Sequence, residues 1–138
     1  MKSLFIPLLL LLPLQSDNSV IKIEGLAAKY DKNQNIEFAI VNHDHNNKYG
    51  YFIGMEYCDD DGWRGLVTDI TRPLSKSSLI NDIKPQQKKT ISLPLRKILD
   101  VRQFGFRLYR LKVVYLDSSY KVYKNYFSKS FQLVKKTK

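Results

Sequence analysis

Apolar and polar residues alternate with a two-residue period along most of this chain, most clearly from Tyr49 to Val67 (YGYFIGMEYCDDDGWRGLV). Tyr51, Ile53, Met55 and Tyr57 share one face of a strand there, and Phe52, Gly54, Glu56 and Cys58 share the other. Asp61-Gly62 supplies residues that tolerate positive φ and predicts a two-residue hairpin turn. Trp63, the only tryptophan, stands at the mouth of that hairpin. The same period predicts strands over Val20–Leu26, with Gly25 as a kink or bulge, and over Asn35–Asn42, with Ile36, Phe38 and Ile40 inward. A short edge strand is expected over Leu79–Ile83. Another, over Lys88–Leu95, is stopped or confined to an edge by Pro94. In Gly105–Leu116, Phe106 and Leu108 fall on the opposite phase from Leu111, Val113 and Tyr115, so a bulge is expected near Tyr109. The last strand covers Tyr120–Val134, where Tyr123, Phe127, Phe131 and Leu133 alternate with polar residues. One helical turn is expected, within Arg96–Phe104. About seven short strands with turn signals roughly every ten residues predict an all-β, antiparallel sandwich.

The chain has 138 residues, enough for one domain. Residues 1–16 (MKSLFIPLLLLLPLQS) have the make-up of a secretory signal peptide. Lys2 supplies the positive start, Leu4–Leu14 the apolar core and Ser16 a small residue at a cleavage point. That apolar run is 11 residues long, against the ~20 a membrane-spanning helix needs. An uncleaved anchor is the alternative. Residues 17–138 would form the exported domain, secreted or periplasmic, monomeric and without a transmembrane segment. Cys58 is the only cysteine, so no internal disulfide can form.

Charge changes the picture more than composition does. The chain carries +10 overall, but residues 17–83 hold 7 basic and 11 acidic side chains, whereas residues 84–138 hold 15 basic and 2 acidic. So sharp a step marks an interaction surface as well as a means of solubility. Arg107, Arg110, Lys112, Lys121, Lys124 and Lys129 fall on two strands expected to be hairpin neighbours, interleaved with Tyr109, Tyr120 and Tyr126. Two readings stand level: a solvated face whose lysines discourage edge pairing, or a docking face for an acidic polysaccharide, lipid head groups or an acidic protein. Export argues against nucleic acid as the partner.

The remaining candidates carry less chemistry. His43-Asp44-His45 offers two imidazoles and a carboxylate, but Asp59, Asp60 and Asp61 lie about 26 Å away along one strand, eight residues at ~3.3 Å each. No metal site and no cofactor is expected. The same separation keeps Cys58 from pairing with either histidine as a nucleophile, and a half-buried thiol is favoured over an intermolecular cross-link. Aligning Gly62 with the glycine of a calcium loop leaves Tyr57 and Thr68 where carboxylates are required. Trp63 either caps the end of the core, the reading favoured by the burial habit of aromatics, or stands out with Tyr109 as an aromatic contact.

Tyr49-Gly50, Met55-Glu56, Asp61-Gly62-Trp63 and Gly105-Phe106-Arg107 resemble the motifs of a family of bacterial immunoglobulin-like domains, over most of Val20–Val134. Lys84-Pro85-Gln86 stands where that family has a Pro-Gly turn, and Phe106 where it has tyrosine. The resemblance implies an immunoglobulin-like β-sandwich acting as an accessory, adhesive or lipoprotein module without a known reaction. Two functions follow as expectations. One is a binding module of unknown partner that docks on anionic surfaces or polymers through the basic strand pair. The other is a secreted protease inhibitor presenting a loop such as HDHNNKYG or TRPLSKSS. No carboxylate pair, Ser-His pair or glycine-rich phosphate cradle marks an enzyme.

Overall fold

A computed structural model describes residues 19–67, 69–70, 81–98, 108–117 and 123–134. Its larger sheet is built on β4 (Tyr49–Asp59), the longest strand among the described residues. Along one edge of β4 runs β8 (Leu108–Leu116), antiparallel and in continuous register from Gly50↔Leu116 to Cys58↔Leu108. The other edge is shared by β5 (Gly62–Val67) and β6 (Asn81–Ile83). β9 (Tyr123–Phe127) extends the sheet beyond β8, giving the order β5-β4-β8-β9.

The second sheet has the order β1-β3-β7, from β1 (Ile21–Glu24), β3 (Asn35–Asn42) and β7 (Lys88–Pro94), all antiparallel. A third pairing, parallel, joins β2 (Lys29–Asp31) to β10 (Gln132–Val134). The inward residues of both sheets form one core, with Ile21, Ile36, Ile40, Ile53, Met55, Leu93, Leu111 and Val113 fully buried. This strand order, with the chain's first strand in one sheet and the segment after it paired to the last strand, is that of an immunoglobulin-like β-sandwich.

Several expectations shift in detail. No slip occurs at Tyr109: its side chain is itself inward, in phase with Leu111, Val113 and Tyr115, and Leu108 faces out. The irregularity lies instead on the neighbouring strand. Of the expected strand Tyr120–Val134, the described residues 123–134 form two strands, β9 and β10, because pairing moves from Lys112↔Phe127 to Tyr109↔Phe131, one residue out of step. Ser128 takes up that extra residue, its Oγ accepting from Leu111 N at 2.8 Å and donating to Lys129 O.

Gly25, at φ +80°, ends β1 and lets the chain leave the β1-β3-β7 sheet to pair with β10 as β2, which the sequence pattern had not shown. At the β4–β5 hairpin the two tip residues are Asp60 and Asp61, and Gly62 alone takes positive φ. Helix among the described residues is confined to α1 (Leu95–Ile98), beginning one residue before the expected Arg96; the rest of that expected turn and Phe106 lie outside the described residues. Gln86 adopts φ +60° behind Pro85, with Gln87 N donating to Lys84 O at 3.1 Å. It therefore occupies the left-handed position of a type II turn, where glycine is the usual residue.

Candidate functional site

An antiparallel sheet packed on one side normally turns a polar face to water. The β1-β3-β7 sheet does so: Lys22, Glu24, Glu37, Thr90 and Ser92 face outward there, and the interrupting Ala39 and Val41 are buried. The larger sheet does not. Across its outer side the register sets Trp63 beside Cys58, Gly65 beside Glu56 and Arg110, Gly54 beside Lys112 and Phe127, and Phe52 beside Val114 and Asn125.

Arg110 is the centre of this face. Its Nε and Nη2 both donate to Glu56 Oε1 at 2.8 Å. Its guanidinium carbon lies 4.3 Å from the centre of the Trp63 ring and 4.0 Å from that of Phe127. The planar cation is thus held over the outer face by a carboxylate and packed against two aromatic rings, an arrangement to which lysine is poorly suited. Trp63 does not cap the core; it is half-buried outside it, under Arg110. Cys58 is half-buried on the same side, its Sγ 3.6 Å from Asp59 O.

Beside the stack lies a hollow of about 290 Å³, lined by Phe52, Gly54, Leu66, Val67 and Val114, with Glu56 and Lys112 on its rim. Two sequence features create it. Gly54 and Gly65 contribute no side chain, and a register shift between Met55 and Glu56 leaves Leu66 bulged out of the β4–β5 ladder. Glycine within a strand weakens it and marks places where another group approaches closely.

The expected basic face is divided. Arg110 and Lys112 share the outer side of β8, but Arg110 is ion-paired to Glu56. Lys124 pairs with Tyr115 and so falls on the core side, exposed at the sheet edge. Lys129 is exposed between β9 and β10. Arg107 and Lys121 lie outside the described residues. Tyr109, expected as an exposed aromatic contact, is completely buried and stacks on Phe131 with ring centres 6.0 Å apart. Sequence reasoning missed Glu56, Phe127 and the two glycines as parts of a site. The one available signal was a lone carboxylate on the outward phase of β4.

Scans against protein-family models and against curated proteins find no match. Among solved structures the chain is similar to the crystal structure of the periplasmic chaperone SfaE, with a TM-score of 0.48 and 12% identity. The likeness covers 82% of this chain and 56% of that one, so the chain spans little more than half the length of SfaE. Chaperone activity is a property of SfaE. Among the described residues no helix is long and apolar enough to cross a membrane.

The two acidic loops are wired internally. Asp44 accepts from Asn46 N, Asn47 N, Asn47 Nδ2 and the Tyr49 hydroxyl, at 2.7 to 3.1 Å. These bonds hold its carboxyl far below the usual carboxylate range. At the hairpin tip, Arg64 donates to Asp59 at 2.7 Å and to Asp61 at 3.2 Å, and the two carboxylates raise its already high pKa. No group of three or more metal-binding side chains comes together among the described residues.

Burial, then the Asp44 carboxylate, pushes the Tyr49 hydroxyl up to about 12. Burial, then Asp82 and Asp69, does the same for Tyr51. Both shifts favour the neutral phenol in the folded chain. Their contribution to stability is therefore complete below pH ~10 and is lost as pH rises toward 12. An ultraviolet titration of tyrosinate should show Tyr49 and Tyr51 ionising about two pH units late. Asp44→Asn should bring Tyr49 down and leave Tyr51 late; a single titration with every tyrosine near 10 would contradict the assignment.

Proposed function

We propose that this chain is an exported, non-catalytic immunoglobulin-like binding module, and that it engages a partner protein through the outer face of β5-β4-β8-β9. The carrying observation is the contrast between the two outer faces. One is polar, while the other displays Trp63, Phe127, Phe52 and Val114 around a stacked arginine. Trp, Arg and Phe in one cluster are the residue types that dominate protein interfaces, and charged residues other than arginine are depleted there. On this reading the bacterial immunoglobulin-like family resemblance extends to role, and the protein needs no cofactor. Docking depends on a mixed apolar and cationic surface; the division of the basic strand pair weighs against a purely charge-driven hold on anionic polymers.

The inhibitor reading has one observation in its favour, the bracing of the 43–48 loop by Asp44. That loop displays only polar side chains at its tip, His45, Asn46, Asn47 and Lys48, and offers no apolar anchor. TRPLSKSS lies outside the described residues.

A photo-activated cross-linking residue placed in turn at Val114, Phe127, Lys22 and Thr90, in cells that export the chain, separates the faces. Val114 and Phe127 should yield one shared, discrete adduct, and Lys22 and Thr90 none. Equal adducts at all four positions would remove the reading.

A further inference from the structure

We infer that the hollow over Gly54 is a peptide-binding subsite that takes one large apolar side chain next to an acidic residue, whose carboxylate pairs with Lys112. The inference rests on the docking role of this face. At about 290 Å³ the hollow is at the lower limit of ligand sites, suited to a side chain. Its walls, Phe52, Leu66, Val67 and Val114, are apolar.

Charge selects the neighbour. Glu56 is neutralised by the two donors of Arg110. Lys112 has no carboxylate partner among the described residues; its ammonium lies 5.9 Å from the Phe127 ring centre. Lys112 therefore sets one positive charge beside the apolar side chains of the wall, a pairing complementary to an apolar residue next to aspartate or glutamate. A sugar fits less well. Trp63 and Phe127 already have Arg110 over their rings, and the Glu56 oxygen facing Arg110 is committed. A second copy of a chain carrying +10 would bring like charge to a cationic rim.

The glycines make the inference testable. A Cβ built on Gly65 meets no atom within 4 Å, and Gly65 does not need positive φ. Gly65→Val should therefore fill the hollow from its open side and leave the fold intact, with Gly65→Ala as a smaller version. The probes are fluorescently labelled, extended peptides of about ten residues with Leu or Ala at the centre and Glu or Gln on both sides, titrated with the whole chain. The Leu-centred, Glu-flanked peptide should bind at least about tenfold tighter than either the Ala-centred or the Gln-flanked one, a difference of ~1.4 kcal/mol. Lys112→Gln should abolish the preference for Glu and keep that for Leu. Gly65→Val should abolish the preference for Leu, and Gly65→Ala should reduce it.

If no peptide binds, or if both preferences survive both substitutions, the inference is overturned. If the peptides bind without preference and Trp63→Ala removes that binding, the subsite is overturned while the docking face stands. Cross-linking from Val114 and Phe127 judges the face independently of these peptides.

Discussion

Asn42→Leu, which keeps the branching and the number of side-chain heavy atoms, is expected to destabilise the domain by about 3 kcal/mol. Asn42 is completely buried at the end of β3. Its Nδ2 donates to Asn47 O at 2.8 Å, Lys84 O at 3.0 Å and Ile83 O at 3.4 Å, and its Oδ1 accepts from Asp44 N at 3.0 Å. One side chain thus joins the end of β3, the 43–48 loop and the turn between β6 and β7. Leucine would leave these groups without that partner, at ~1–3 kcal/mol for each that water does not reach. A melting temperature lower by roughly 10 °C should accompany the loss. Asn42→Asp retains the acceptor but sets a carboxylate against carbonyl oxygens. It should be at least as damaging at neutral pH and recover in part once acid restores a proton to donate. A loss below about 1 kcal/mol for the leucine variant would mean that water replaces the amide.

Asn42 illustrates what the sequence pattern conceals. The alternation of β3 and β4 was readable because each inward residue is apolar and meets the same core. The sandwich followed from that period. Asn42 reads only as the polar last residue of the strand Asn35–Asn42, since its partners are fixed only when the β6–β7 turn, some forty residues on, folds against it. The docking face shows the same limit. That Arg110 and Lys112 share a side is local, from period two. That Glu56 neutralises Arg110 depends on the β4–β8 register, which no local pattern contains. Tyr109 was misplaced for a related reason. Only two apolar residues, Phe106 and Leu108, argued for the slip, whereas the unbroken pairing of β4 with β8 decides against it. Lys124 went to the other side because β9 had to be aligned by its own pairing with β8, not by charge.

Phe131→Ala should cost about 3–5 kcal/mol, whereas Phe127→Ala, four residues earlier, should cost under about 1 kcal/mol. Phe131 is 1% exposed and Phe127 36%. Phe131 stacks on Tyr109 and meets Tyr30 edge-on with ring centres 5.8 Å apart, so it ties β8 to the β2–β10 pair through its ring as well as through the backbone bonds it exchanges with Tyr109. Its removal empties the centre of a three-ring cluster that backbone rearrangement can refill only by giving up the Tyr109–Phe131 bridge. Phe127 lies on the outer face and contacts the cations of Arg110 and Lys112. Urea unfolding of both variants tests the contrast. Equal losses would mean that the outer face is as tightly packed as the core.

The parallel pairing of β2 with β10 has a mechanical consequence. Gln132 N donates to Ala28 O, and Lys32 N, four residues beyond Ala28, donates to Val134 O. Tension applied to the two ends of the domain pulls β2 and β10 in opposite directions along their common axis. Every bond between them is then loaded together, in shear, whereas the antiparallel β4–β5 hairpin, pulled from its open end, would unzip one bond at a time. A module tethered at one end and loaded from the other would carry that force across a seam whose bonds share the load.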